Sequence, residues 1–346
     1  MPPVPWTLVA RAHMDAVYVS VEVVIGLASV LGNVPVVLLL AFNRAWRETT
    51  FCFVASLALA DVAVGTLVIP LSVLVNLGVR TPFHACLFLS CLLLVITQSS
   101  ILSLLAIAVD RYLRVKVPTR YGVIMTQQRA WAVVCVCWLL SILTGMVPML
   151  GWHGQDPQGN LSAGSIVCEF SAVMRLDFMV YFNFFGCVVA PLAVMISLYT
   201  EIFRVIRCRL GRRAKTAGDA GKYYRRELRL AKSLALVVLL FALCWLPLHI
   251  TNCVILFCPG CEVPKRARYV GIFMSHVNSA VNPLVYAFRI ERVRAMLAQT
   301  LRQFWGRPKS ARPTAHLALS TPGGKQHVYF LNIINGLKQV QPQDKF

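Results

Sequence analysis

Seven apolar stretches organise this chain, each separated from the next by a shorter polar or charged connection. They lie near residues 16–41, 51–76, 85–109, 130–150, 178–203, 232–257 and 268–288. A helix crosses a bilayer core with about 20 apolar residues, and every stretch reaches that length. The apolar positions run on without alternating at every second residue, which predicts helices rather than barrel strands. A different pattern follows in 289–304, where Ile290, Val293, Met296, Leu297, Leu301 and Phe304 form one stripe among charges. That is the signature of a helix lying on a membrane surface. The chain therefore divides into an N-terminal tail (1–15), a membrane domain (16–288), a surface helix (289–304) and a polar tail (305–346). The expected fold is an all-α membrane protein, a seven-transmembrane helix bundle with a short amphipathic eighth helix. No two-fold internal repeat is visible.

Polar residues inside these stretches carry the chemistry. Trp245, Leu248, His249 and Asn252 are spaced i, i+3, i+4, i+7 and share one face of segment six. Polar groups in hydrocarbon need partners, so that face points either at a ligand or at hydrogen bonds with a neighbouring helix. Asp61 interrupts segment two, and Glu22 is the only charge in segment one; Asn33, Ser100, Asn278 and Asn282 offer polar partners. Asp110, Arg111 and Tyr112 end segment three ahead of Pro118, and Asn282-Pro283-Leu284-Val285-Tyr286 ends segment seven. Pro191, Pro247 and Pro283 each remove one helical hydrogen bond and permit a kink. The loop around 207–229, with three glycines, reads as partly flexible.

Composition narrows the class. Hydrophobic residues make up 58% of the chain and charged residues 14%, which excludes an ordinary soluble domain. Seventeen Lys and Arg residues lie in the loops after segments one, three and five, against six in the N-terminal tail and the other loops. That asymmetry places the N-terminus outside the cell and the C-terminus in the cytosol. The net charge of +20 is split among short loops, which suits anionic lipid and an intracellular partner and argues against nucleic acid. Four of the twelve cysteines (Cys86, Cys168, Cys258 and Cys261) lie near the outer face, where disulfides persist. They admit three pairings, of which Cys86–Cys168 with Cys258–Cys261 is preferred. Asn160-Leu161-Ser162 is a glycosylation sequon on the same outer loop as Cys168. No HExxH, nucleophile elbow or Walker loop is present, so the chain is not expected to be an enzyme. A transporter using Asp61 as a coupling-ion site is the rival class.

Asn33, Asp61, Arg111, Trp138, Pro191, Pro247 and Pro283, one per segment, make the chain resemble a rhodopsin-type (class A) G-protein-coupled receptor. The passages SLALADVAVGTLVIPL, TQSSILSLLAIAVDRYLRVKVPTRY, CEF before MVYFNFF, KSLALVVLLFALCWLPLHITNC and SHVNSAVNPLVYAFRI are most similar to adenosine receptors of the branch coupling to inhibitory G proteins. The resemblance covers about 16–304 and implies a plasma-membrane receptor for extracellular adenosine. It implies that Asn252 bonds the adenine edge, Phe170 stacks on the purine and Glu169 accepts from the exocyclic amine. Ser275, His276 and Thr97 would hold the ribose, with Glu22 partnering His276. Leu93, Leu94, Met179, Leu248 and Ile272 would form the walls, Trp245 the floor, and His249 would line the pocket. Asp61, Ser100, Asn278 and Asn282 resemble an allosteric sodium site; no other cofactor or metal is implied. Agonist would shift a pre-existing equilibrium, with segment six swinging about Pro247. Arg111, freed from Asp110 and Glu227, would then meet a heterotrimeric G protein of the inhibitory class, with Tyr112, Pro118, Pro283 and Tyr286 in the switch. Arrestin is a further implied partner. The chain departs from the pattern at Pro35 and in having no cysteine after Cys261, and motifs of two inhibitory subtypes are mixed.

Overall fold

The computed structural model describes residues 6–42, 49–154, 165–213, 219–258, 260–289 and 295. Asn160, most of the expected surface helix and the whole tail lie outside the described residues. Every long apolar stretch is a helix, as a chain without water must be if its backbone groups are to be satisfied internally. Segment one is Trp6–Phe42, beginning ahead of the boundary expected at 16. Segment two is Thr49–Ala63, continued through a wide π turn at Val64–Val68 into Ile69–Asn76. Segment three is Phe83–Lys116 and segment four Gln127–Gly145. Segment five opens with wide turns at Phe178–Val189 and continues as Ala190–Arg213. Segment six is Asp219–Phe257 and segment seven Lys265–Arg289.

Segment six reaches into the basic loop expected to be partly flexible. Tyr224, Glu227 and Ala231 in that extension are buried, so contact with the bundle favours helix there. Six helices among the described residues are long and apolar enough to cross a membrane. Segment seven is the exception, because Lys265, Arg266 and Arg268 open it and Ser275, His276, Asn278, Ser279 and Asn282 line it.

The helices form a bundle in which segment one touches two and seven, seven touches six, six touches five, and two touches four. Segment three runs through the middle, against two, four, five and six. Large apolar side chains face outward, among them Leu31, Leu143, Ile196, Leu239 and Ile250, while Glu22, Asn33, Asp61, Asn278 and Asn282 are buried. This inside-out distribution suits a lipid surround, which provides no hydrophobic drive between helices and leaves association to packing and polar contacts. Close approach is one device. A Cβ on Gly145 would lie 2.8 Å from the Val95 amide nitrogen, so segments three and four meet nearly backbone to backbone there.

The prolines supply another. Each frees the carbonyl four residues earlier, and two of those carbonyls are taken by amide side chains from another segment. Asn33 Nδ2 donates to Ser279 O at 2.9 Å, opposite Pro283, and Gln98 Nε2 donates to Cys187 O at 3.2 Å, opposite Pro191. The kink sites are thus also interhelical joints. At the disulfide end of the bundle, strand Arg80–Pro82 pairs antiparallel with Ser165–Val167, an element not expected from the sequence. This ribbon carries Cys168 to its disulfide with Cys86; Cys258 and Cys261 are bonded to each other.

Candidate functional site

The polar residues of the bundle interior fall into three tiers from the disulfide end to the Arg111 end. The outer tier is bounded by segments three, five, six and seven and by the short loop after Cys168. Glu169 is exposed there, and Phe170, half-buried, opens a helical turn at Phe170–Val173. The disulfide fixes this turn to the top of segment three. Phe170 packs with the same apolar cluster as Leu94 and Met179. Leu93 belongs to a different cluster, with Ile96, Phe273 and Val277, so the two expected wall leucines face different neighbours.

On segment six, Leu248 lies against segment seven, where a Cβ on Gly271 would sit 3.1 Å from its Cα. Asn252 is half-buried one turn further out. His249 is 2% exposed, and neither ring nitrogen has a hydrogen-bond partner among the described residues. Its ring stacks on Phe184 of segment five at 4.5 Å and lies 5.9 Å from the ring of Trp245. The Trp245 Nε1 is likewise buried and unpartnered. Donors and acceptors left unsatisfied on one stripe are costly in an apolar interior unless a bound group meets them.

Segment seven contributes Ile272, Ser275 and His276. The Ser275 hydroxyl donates to Ile272 O at 2.7 Å, and the Thr97 hydroxyl on segment three donates to Leu93 O at 2.9 Å. Both oxygens keep acceptor capacity. His276 Nδ1 sits 2.8 Å from one Glu22 oxygen and 3.0 Å from the other. The carboxylate is fully buried and is held by this pair together with the Tyr18 hydroxyl. Pro35 does not prevent the contact. Tyr18, one turn from Glu22, bonds Ser72 at 3.0 Å, packs at a tilt against Tyr269 and stacks on Phe273, fastening these ends of segments one, two and seven.

The middle tier centres on Asp61, which is fully buried. Its Oδ2 accepts from Asn282 Nδ2 at 2.8 Å, while Ser29 Oγ donates to its backbone carbonyl at 2.8 Å. Asp61 Oδ1 makes no hydrogen bond of normal geometry, though the Ser279 side chain interacts with the carboxylate. Asn278 Oδ1 and Asn33 Oδ1 are also buried without partners, and Ser100 Oγ is held only by a long 3.4 Å bond to Ile96 O. A buried carboxylate among spare oxygen acceptors is the donor set of a hard cation. The described residues hold no cluster of three or more His, Cys, Asp or Glu, which leaves no site of transition-metal type among them.

The inner tier is an ion-pair network. Arg111 Nη2 lies 2.9 Å from Asp110 Oδ2, and its Nη1 lies 3.4 Å from Glu227 Oε2 on segment six. All three groups are buried, so the attraction is little screened. Asp110 is further held by Thr49, by Thr50 at 2.6 Å and by the Tyr121 hydroxyl. Thr49, Thr50 and Tyr121 carry no sequence signal, because they matter only through a partner on another element. Phe184 and Tyr18 were missed for the same reason. Pro118 is half-buried in the turn before Tyr121, Tyr112 packs against the main core, and Tyr286 is described only as a residue of segment seven. Arg111 therefore ties segment six to segment three. Glu227→Ala removes the tie across the helices while leaving Asp110, and basal nucleotide exchange on a G protein is expected to rise several-fold without agonist. Unchanged basal exchange would show that the pair does not restrain the switch.

A polar outer tier, a buried carboxylate tier and an ion-paired inner tier are stacked in one seven-helix bundle, the arrangement of a membrane signal receptor. The family model for the 7 transmembrane receptor (rhodopsin family) matches residues 32–286. The chain belongs to that family and is a receptor, not an enzyme. It is 47% identical over 290 residues to Adenosine receptor A3 of Ovis aries, covering 84% of this chain and 91% of the relative. Identity to Adenosine receptor A3 of Bos taurus is 48% over 292 residues, covering 84% and 91%, and to that of Canis lupus familiaris 48% over 283 residues, covering 81% and 89%. Within the rhodopsin family the chain thus belongs with the adenosine receptors.

Proposed function

We infer that this chain is a multi-pass plasma-membrane receptor for extracellular adenosine that activates heterotrimeric G proteins of the inhibitory type. The observation that carries the ligand class is the outer tier, which combines Asn252 and the unsatisfied His249 and Trp245 of segment six with Ser275 and His276 of segment seven, the latter braced by Glu22. A carboxamide presents one donor and one acceptor, the complement of an adenine amine beside a ring nitrogen. Phe170 offers its face to the purine, and Glu169 at the mouth accepts from the amine. Ser275, His276 and Thr97 hold the ribose, Leu94, Met179, Leu248 and Ile272 supply apolar walls, and Trp245 is the floor. The N-terminus is outside and the C-terminus cytosolic, so the inner tier meets the G protein and the basic loops meet anionic lipid.

Signalling needs no chemistry on the ligand. Agonist that contacts segments three, six and seven more closely in one packing than in the other shifts the population toward that packing. Segment six moves about Pro247, where the Leu243 carbonyl lacks its helical donor, and the Arg111–Glu227 contact opens. The test is adenosine-dependent nucleotide exchange on an inhibitory G protein by the receptor in nanodiscs. No response removes the reading, and adenosine flux into proteoliposomes would replace it with a transporter.

A sodium ion fits the middle tier. Asp61, Ser100, Asn278 and Asn282 would hold it, and it would supply the positive charge that the buried carboxylate lacks. Agonist affinity in wild type is then expected to fall as sodium replaces potassium at constant ionic strength, and to be indifferent to that exchange in Asp61→Asn. Equal sodium sensitivity in both would eliminate this site.

A further inference from the structure

We propose that Arg268 makes this receptor prefer adenosine-type ligands whose exocyclic amine carries an anionic arm, a carboxylate in particular. The proposal rests on the adenosine reading above. The contacts of segment seven fix its rotation. Gly271 faces Leu248 of segment six, while Tyr269 and Phe273 pack on Tyr18 of segment one and His276 meets Glu22. At about 100° per residue, the sector between those two sides holds Arg268, Ile272, Ser275 and Ser279, spaced i, i+4, i+7, i+11. Arg268 is therefore the outward continuation of the stripe that carries the ribose contacts, one turn above Ile272.

Its side chain is exposed and makes no hydrogen bond or ion pair among the described residues. Lys265, one turn further out, is already paired: its Nζ lies 3.4 Å from Asp15 and 5.3 Å from the Tyr269 ring centroid. Arg268 is thus an uncompensated cation at the mouth. Nothing among the described residues accounts for it. A cation in the first turn of a helix opposes the helix dipole, and a basic residue on the outer side runs against the topological rule. A guanidinium fork does match a carboxylate with two parallel hydrogen bonds.

The geometry of the amine suits such an arm. A monosubstituted amine keeps one N–H for Asn252, and its substituent replaces the hydrogen otherwise aimed at Glu169. The arm then leaves through the mouth between Glu169, tethered to segment three by the Cys86–Cys168 bond, and Arg268 on segment seven. Glu169 repels the carboxylate and Arg268 attracts it, which directs the arm toward segment seven.

The test compares adenosine bearing a carboxyalkyl group on the exocyclic amine with its neutral methylamide, using displacement of a labelled agonist and G-protein nucleotide exchange, with adenosine as reference. In wild type the acid is expected to be about tenfold more potent than the amide. Arg268→Gln should equalise the two, and Arg268→Glu should reverse their order, with adenosine itself little changed. Arg266 lies outside the inward sector, so Arg266→Gln should keep the preference, which separates a directed contact from general attraction of anions. Equal potency in wild type, survival of the preference in Arg268→Gln, or its loss in Arg266→Gln overturns the proposal. No wild-type response to adenosine defeats the parent reading and this inference together; a response to adenosine without the acid preference defeats the inference alone.

Discussion

Asn252→Ala is expected to weaken binding of a labelled adenosine agonist by at least about 100-fold, with receptor abundance at the surface unchanged. The magnitude follows from removing a donor and an acceptor together. A site built to hydrogen-bond a polar edge discriminates far more strongly than an apolar wall does, because the ligand's own groups are left desolvated and unpaired. Asn252 is half-buried and makes no side-chain hydrogen bond to another helix among the described residues, so truncation should leave the fold intact. Leu248→Ala, by contrast, removes only apolar contact and is expected to cost about tenfold. Equal affinity in wild type and Asn252→Ala would sink the purine-anchor assignment.

His276→Ala is expected to have the largest effect on stability. It leaves the fully buried Glu22 carboxylate without its counter-group in a bundle surrounded by hydrocarbon. Breaking a buried pair from one side costs about 3–5 kcal/mol, which for a domain of this size lowers the thermal midpoint by roughly 10 °C. Removing both groups is a different experiment. Glu22→Leu with His276→Phe deletes the charge along with its partner, so the midpoint should recover most of the loss while agonist affinity stays low. A double variant no more stable than His276→Ala alone would show that the pair is not what destabilises the single variant. Recovery of agonist affinity along with stability would remove His276 from the ribose contacts.

The helices and their membrane character were legible in the sequence because both are local. Twenty apolar residues in a row, and the prolines and polar residues that interrupt them, are visible without any knowledge of neighbours. Boundaries were less legible. Trp6 begins segment one ahead of the expected start, and Asp219 begins segment six inside the supposed flexible loop, since burial of Tyr224 and Ala231 against the bundle decides the latter. The outer ribbon at Arg80–Pro82 was not legible, because three-residue strands exist only through their pairing. Of the inner network, Asp110, Arg111 and Glu227 stood out as charges at a membrane edge. Thr49, Thr50 and Tyr121 did not, because hydroxyls at helix ends are commonplace until a carboxylate is brought to them.

The sequence by itself determined the class of protein, the number of crossings and the few polar positions that hydrocarbon would not tolerate without a reason. Hydropathy and helical period are properties of neighbouring residues, so one chain suffices to read them. Tertiary structure decided which of those positions answer one another. Glu22 meets His276 across 254 residues, Asn33 meets the carbonyl opposite Pro283 across 246, and Asp61 meets Asn282 across 221. It also decided which face of segment seven looks inward, and so set Arg268 apart from the other basic residues at the start of that helix. Such choices rest on how seven helices rotate against one another. That rotation is set by packing and buried polar bonds between distant parts of the chain.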